Sequence, residues 1–247
     1  MIRKSLLALA LMAVVPLAGC GDNKVDTEAL KSAPIAKIAP PAGSKWSETV
    51  VQTKEGGYLM GNPDAPIKVV EYFALSCSHC RDFERTAFDE LIGDFVESGR
   101  VNLELRNFLL GPPDVPFTIL TRCGATESYF PLTRQFYENL EADMAPLQQL
   151  DQAQYEAAMQ LPEKERFLRI AQLFQVYDFF KARGISEDQA NQCLTNPENL
   201  KQLVDMNKYA TDELKVNQTP TIFINGTASD IALWPPLKTR LMEMGAR

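Results

Sequence analysis

Histidine occurs once in the 247 residues, at position 79. That scarcity removes two readings. A hydrolase built on a Cys–His pair needs an imidazole that can approach the nucleophile as base, but His79 is locked into the same short turn as two cysteines and no second histidine exists. A zinc site wants four ligands in a tetrahedron, and no second cluster accompanies that turn, so no metal is expected. An excess of basic residues is also missing: 25 Lys and Arg face 32 Asp and Glu, a formal charge of −7. Without a basic patch or an Arg-rich run, nucleic acid is not an expected partner, and the acidity implies little beyond solubility. Internal repeats, coiled-coil heptads and low-complexity tracts are absent from a composition that is ordinary for a globular chain, with 45% hydrophobic and 23% charged residues.

The chain is instead organised around Val69–Phe83, VVEYFALSCSHCRDF. An apolar strand runs straight into Cys-x-x-Cys at the start of a helix. The helix dipole and free N–H groups at such a terminus stabilise the thiolate of the first cysteine, so the pair can open and close a disulfide. Cys77 and Cys80 are therefore the candidate redox centre.

The N-terminal residues are of a different kind. Arg3 and Lys4 precede an apolar run from Leu6 to Leu17, closed by Leu17-Ala18-Gly19-Cys20. The run is too short to span a bilayer and has the layout of an export signal. L-A-G-C resembles the lipobox of bacterial lipoproteins, which implies cleavage before Cys20 and lipid attachment to it. Cleavage by the ordinary signal peptidase, with Cys20 trimmed away, is the alternative. Without Arg3 and Lys4 the 25 basic residues become 23 against 32 acidic ones, a charge of −9. Disulfides persist outside the cytoplasm, so the five cysteines divide into Cys20, the pair Cys77 and Cys80, and a second pair, Cys123 and Cys193.

Residues 1–19 thus read as signal peptide and residues 20–48 as a flexible tether rich in Ala, Pro, Lys, Asp and Ser. Trp46–Met60 reads as a short strand or hairpin turning at Gly56-Gly57. The turn at Gly61–Pro66 leads into a buried central strand, Ile67–Leu75, covered on both faces. A helix over about Ser78–Ser98 carries Phe83, Ala87, Phe88, Leu91, Ile92 and Phe95 at helical spacing, as core residues rather than a cofactor box. Val101–Leu110 alternates as a second strand and stops at Gly111-Pro112-Pro113.

From there to Tyr209 the pattern is helical, with helices expected over Phe117–Tyr129, Pro131–Ala142 and Glu163–Arg183. Ser186 with Gln189 marks a further helix start. Phe167, Ile170, Phe174 and Tyr177 form a stripe read as helical core rather than a ligand groove. A strand, Thr221–Ile224, a turn at Asn225-Gly226 and a final helix over Pro236–Met244 close the chain. The expected class is α/β: a sheet domain in two parts, 49–115 and 206–247, interrupted by an all-helical insertion, 116–205.

A strand, then F-x-x-x-C-x-H-C at a helix start, and far downstream NQTPTIFING resembles the thioredoxin superfamily, within it the DsbA-like exported thiol oxidoreductases. The likeness runs from about Gly61 to the C-terminus and implies a thioredoxin-like fold. It implies Cys77 as the attacking cysteine and Cys80 as its buried partner. His79 then stabilises the Cys77 thiolate, against the plain alternative of a surface residue. The family most often has Pro where Ser78 stands, which leaves the strength of oxidation open. Thr219-Pro220 matches the cis-proline loop that offers backbone groups to a substrate peptide; without the resemblance a trans bond would be expected. Glu71, in the central strand where burying an acid is expensive, matches a buried acidic position implicated in proton handling, the alternative being a carboxylate that reaches solvent. One cysteine near each end of the helical block resembles the subgroup with a second disulfide. A Cys123–Cys193 bridge, 70 positions apart, would stabilise the block by about 4 kcal/mol before strain, a regulatory thiol pair being the alternative.

The resulting expectation is a periplasm-facing, lipid-anchored monomer that introduces disulfides into reduced exported proteins. The resemblance implies electron transfer onward to a membrane quinone reductase, and the chemistry needs no bound cofactor. The same pair run in reverse gives a reductase or isomerase. A non-catalytic binding module on the same scaffold is the rival from another class; it predicts that the Cys-x-x-Cys is dispensable.

Overall fold

The structure is a computed structural model and describes residues 32–247. Its sheet has six strands: β1 (Val50–Gln52), β2 (Tyr58–Gly61), β3 (Ile67–Phe73), β4 (Val101–Asn107), β5 (Thr221–Ile224) and β6 (Thr227–Ala228). They lie in the order β1-β2-β4-β3-β5-β6. Only β3 and β4 are parallel; every other neighbouring pair is antiparallel. Parallel neighbours need a crossover, and α1 (Ser78–Glu90) supplies it, continued by a π-helical stretch, Leu91–Val96. Asn225 and Gly226 both have positive φ, as the tight β5–β6 turn requires.

Strand alternation divides the core. Ile67, Val69 and Phe73 point to one face of β3, into the main core with Phe83, Ala87 and Leu91 of the crossover helix. Tyr72, on the opposite face, packs with Phe108, Ala210, Val216 and Phe223 in a smaller cluster. Glu71 shares the parity of Val69 and Phe73. The alternation therefore sends a carboxyl into the main core.

The helices after β4 are α2 (Asp114–Thr121), α3 (Tyr129–Glu138), α4 (Leu140–Gln148), α5 (Gln152–Met159), α6 (Glu163–Leu173), α7 (Tyr177–Lys181), α8 (Glu187–Thr195) and α9 (Pro197–Asp212). The last helix is α10 (Trp234–Glu243). The Ser186 side chain accepts from Gln189 N–H at 3.2 Å, as its position before the helix suggests. Phe167, Ile170 and Phe174 are buried in the main core, and the Phe117 and Phe174 rings stack at 5.7 Å.

Four expectations need correction. The helix expected over 163–183 is two, because Gln175 takes a left-handed φ of 55° and breaks the ladder between α6 and α7. The helix expected over 117–129 ends at Thr121. The helical run overlaps both edges of the 116–205 insertion, from Asp114 at its start to Asp212, since α9 continues without a break beside β4. Finally, the C-terminal half of the expected tether is ordered against the domain. Ile35 N–H donates to Gly245 C=O and Ile38 N–H to Ser98 C=O, both at 2.9 Å, while the buried Trp46 indole donates to Ile38 C=O at 2.8 Å. The cause is a set of backbone partners that polarity alone does not reveal.

Gly99 is the seat of this strap. Its φ is +71°, and a Cβ there would collide with the Ile38 carbonyl oxygen and lie 2.8 Å from the Trp46 indole nitrogen. Gly99→Ala is expected to destabilise the fold by about 1–3 kcal/mol and to make residues 32–45 the first site of proteolysis. Unchanged thermal unfolding and cleavage would mean that the strap is not held there.

Candidate active site

Cys77 is the N-cap of α1, with φ −84° and ψ 111°, and its sulfur accepts from Cys80 N–H at 3.1 Å. The apolar strand ends four residues earlier, and the short link places Cys77 where the orphan N–H groups of the helix converge. The two sulfurs lie 2.7 Å apart and are unbonded. Hydrogen bonding from the Cys80 thiol, then from the Thr219 side chain and from the backbone N–H groups of Cys80 and His79, lowers the Cys77 thiol to about 6. Burial opposes them and is outweighed.

Although it stands at the helix N-terminus, Cys77 is only 6% exposed. The Thr219-Pro220 segment, whose peptide bond is cis, meets it, with the Thr219 carbonyl oxygen 3.5 Å from the sulfur. Ser78 and His79 are the exposed part of the motif. It is the backbone N–H of His79 that reaches Cys77, and Ser78 is not among the groups that lower its pKa.

Cys80 is fully buried one turn further along α1. Its thiol is pushed far up, first by burial, then by the hydrogen bond it gives to Cys77 and by the charges of Glu71 and Cys77. Glu71 is 5% exposed and sits on β3 between Leu105 and Ile222. Burial raises its pKa well above the ordinary carboxyl value, with Cys77 and Glu84 adding to the effect. Tyr137 closes this end of the site, its hydroxyl donating to the Ala74 carbonyl at 2.8 Å. The pair is thus asymmetric: a stabilised thiolate in front, and a thiol held protonated behind it beside a carboxyl that burial favours in its neutral form.

Asp114 was missed in the sequence. It is 1% exposed and its carboxylate accepts from three backbone N–H groups: Ser76 at 3.1 Å, Leu110 at 2.9 Å and Gly111 at 3.3 Å. It therefore ties the residue before Cys77 to the loop after β4. The only local signal was an acid directly after Pro112-Pro113, which reads as turn chemistry.

Cys123 and Cys193 form a disulfide, with Cα atoms 6.0 Å apart. It joins the turn after α2 to α8. Cys20 lies outside the described residues.

A helix N-terminal Cys-x-x-Cys between the parallel strands of a mixed sheet, faced by a cis-proline loop, defines a thioredoxin-like fold with its redox site. The chain belongs to the thioredoxin family: the family model described as Thioredoxin matches residues 53–233. Its fold resembles the crystal structure of protein-disulfide isomerase from Novosphingobium aromaticivorans, with 29% identity, a TM-score of 0.71 and coverage of 74% of this chain and 94% of that one. It also resembles Wolbachia pipientis alpha-DsbA1, at 18% identity and a TM-score of 0.61 over 78% and 92% of the two chains. The sequence is 26% identical over 186 residues to a Rickettsia bellii (strain RML369-C) protein named "Putative protein-disulfide oxidoreductase", covering 75% of this chain and 63% of the relative. The match spans less than two thirds of that relative's length.

Two outcomes follow from the geometry. Alkylation of Cys77 in the reduced protein is expected to rise with pH about a midpoint near 6 and to level off above it. A midpoint at the ordinary thiol value of about 8.5 would refute the hydrogen-bonded thiolate. Glu71→Leu is expected to stabilise the fold by roughly 1–3 kcal/mol, because it removes a buried carboxyl. A carboxyl with a raised folded pKa has its full stability contribution below the unfolded value of about 4.3 and loses it as pH rises through the folded value. The gain from Glu71→Leu should therefore grow with pH, and a gain that shrinks would show the carboxyl to be ionised and paired.

Proposed function

We propose that the protein is an exported thiol-disulfide oxidoreductase that introduces disulfides into substrate proteins through Cys77 and Cys80. The observation that carries this is the asymmetry of the pair, with Cys77 lowered to about 6 and Cys80 pushed far up. In the oxidising direction a substrate thiolate attacks Cys77 of the Cys77–Cys80 disulfide, and Cys80 leaves with the electron pair and takes up a proton. A second substrate thiolate attacks the mixed disulfide and displaces Cys77 as a thiolate. The substrate gains a disulfide and the protein holds two electrons. A stabilised leaving thiolate favours this direction, because it stabilises the reduced form.

Thr219 and Pro220 are the proposed peptide-docking segment, where an extended substrate would pair with backbone groups beside Cys77. Glu71 is the proposed proton partner of Cys80, and His79 contributes through its backbone N–H and an exposed ring at the entrance. Electrons would leave to a membrane quinone reductase. Such a partner suits a monomer on the periplasmic side, anchored by lipid on Cys20.

The reverse direction, as isomerase or reductase, is the second reading. The observation in its favour is that a thiol near 6 is closer to the value of about 7 found in reducing thioredoxin than to about 3.5 in the strongest oxidant of the fold. Equilibration of the full chain with glutathione separates the two. A reduction potential between about −120 and −180 mV supports the oxidase, and one at about −200 mV or below supports the reverse reaction. Failure of Cys77 and Cys80 to exchange with glutathione would remove the redox assignment and leave a binding module. The anchor is tested by Cys20→Ser, expected to move the protein from the membrane fraction to the soluble fraction and to abolish labelling with radioactive palmitate. Continued labelling would place the lipid elsewhere.

A further inference from the structure

Arg122, the residue after α2, is half-buried, and its partners are all neutral. Nη1 donates to the Gly56 C=O at 2.9 Å and to Asn107 Oδ1 at 3.2 Å, and Nη2 donates to Gln202 Oε1 at 3.1 Å. Both Nη1 protons are thereby used, while Nε–H and one Nη2–H have no acceptor among the described residues. No carboxylate among the described residues pairs with this guanidinium, although acids outnumber basic residues in the chain. Its carbon lies 5.0 Å from the centre of the Tyr58 ring, which stacks in turn on Tyr129 at 3.8 Å. These groups border a cavity of about 170 Å³ between β2, α2 and α9. Tyr58, Arg122, Asn199 and Gln202 give it a polar wall, and the buried Ile119 and Leu203 an apolar one. The Tyr58 hydroxyl makes no hydrogen bond among the described residues, and burial raises its pKa despite Arg122, so it stays a donor. The second disulfide fixes two of the walls relative to each other: Arg122 precedes Cys123, and Asn199 Nδ2 donates to the Cys193 C=O at 2.9 Å.

We propose that this cavity is a binding site for a carboxylate group, held by the free Nε–H and Nη2–H of Arg122 and by the Tyr58 hydroxyl. The inference goes beyond the redox reading and does not depend on it, since β4 stands between β2 and β3, the strand that leads to the cysteines. A planar carboxylate matches the paired donors of a guanidinium and supplies the charge that is missing. Partial burial makes that attraction stronger than it would be at an open surface. A cavity of about 150 Å³ admits a molecule the size of benzene, so this one has room for a carboxylate with a short alkyl group. Ile119 and Leu203 are where the alkyl group would rest.

The bonds Arg122 already makes tie the turn at Gly56 and α9 to β4, a task that a neutral donor would perform. The uncompensated charge and the space in front of it are what that task leaves over. The cavity shares Asn199 and Gln202 with a wider cleft of about 490 Å³ along α9, which passes Met206 and reaches Tyr209. Charge in the cleft is balanced. Lys201 pairs with Asp205 at 2.5 Å and Glu55 with Arg106 at 3.8 Å, while Lys54 and Glu198 have no ion-pair partner among the described residues. Such a cleft would seat the backbone of a peptide whose C-terminal carboxylate lies at Arg122. The carboxylate therefore has two sources, a small carboxylic acid confined to the inner cavity or the last residue of a peptide extending along α9.

The test is calorimetric titration of the full chain at neutral pH with N-acetyl-leucine, with N-acetyl-leucinamide, and with an acetylated tetrapeptide that ends in leucine and a free carboxylate. N-acetyl-leucine is expected to bind and to raise the thermal unfolding midpoint, and its amide to bind at least about tenfold more weakly. Arg122→Gln is expected to weaken binding of the acid at least about tenfold and to leave the amide unchanged. Tyr58→Phe keeps the stack on Tyr129 and should weaken the acid several-fold. A merely structural Arg122 would shift the unfolding midpoint of the free variant and not the difference between acid and amide. Equal binding of acid and amide to the wild type overturns the proposal, as do unaltered acid binding in Arg122→Gln and the absence of binding by either carboxylate at millimolar concentration. If Arg122→Gln fails to fold, Tyr58→Phe carries the test, and wild-type affinity for the acid there overturns the site. Tetrapeptide binding about tenfold tighter than that of N-acetyl-leucine assigns the site to a peptide end, and equal affinities assign it to a small carboxylic acid.

Discussion

The constraint on which the site depends is that two chemically identical thiols, three residues apart on one helix, must differ in acidity. The N-terminus of α1 resolves the first, because a sulfur at the N-cap receives the backbone N–H of Cys80 that the helix cannot use. The central strand resolves the second. β3 is covered on both faces, so the helix packed against it brings Cys80 into a region where only the neutral thiol is tolerated. Neither effect needs a bound ion or cofactor. The strand-to-helix geometry performs both, and it is why the connection from Phe73 to Ser78 is short and stapled at Ser76 by Asp114.

The same geometry divides the effect of pH on stability. Cys77 has a lowered folded pKa, so its contribution to the reduced state is complete above the unfolded thiol value and is lost as pH falls through about 6. Glu71 and Glu84 have raised folded values, so their contributions are present at low pH and are lost as pH rises. The reduced protein is therefore opposed at both ends of the pH range. Oxidation removes the Cys77 thiolate and leaves the two carboxyls, so the oxidised form should lose less stability than the reduced form as pH falls through about 6. The redox state and the proton inventory of this core are one equilibrium.

Much of this was legible before any coordinates, and the boundary between legible and hidden is physical. CSHC after a long apolar strand identifies itself, because strand period, helix start and thiol spacing all coincide within fifteen residues. Ser186 announces its helix because capping is local. Glu71 was visible as an acid out of place in a strand, although its facing partners were not. The strap over Gly99 was read as free tether because its bonds are backbone bonds to residues more than fifty positions away. Gln175 gave no warning of a helix break, as nothing in its side chain favours a left-handed φ. Asp114 reads as ordinary turn chemistry, and Glu84 and Thr133 drew no reading at all. Each acquires its meaning only when three segments meet, and sequence periodicity reports on one segment at a time.

A core of this kind carries more unfavourable polar burial than its fold requires. Leucine at 71 would share its face of β3 with Val69 and Phe73 and would remove a buried carboxyl. The apolar content around them is large enough to bear the loss: Phe83, Ala87, Leu91, Phe95, Leu103 and Leu105 are all buried in the same cluster. Polar groups placed where they weaken a structure call for another account, and here the account is kinetic. A buried thiol cannot change its protonation faster than a proton can reach it. A strand and a helix that exclude water from Cys80, and so make it the weaker acid, also isolate it from solvent protons. Glu71, on the same face of the strand, is the ionisable group that burial leaves beside it. The asymmetry that gives the pair its redox character is also what creates that isolation.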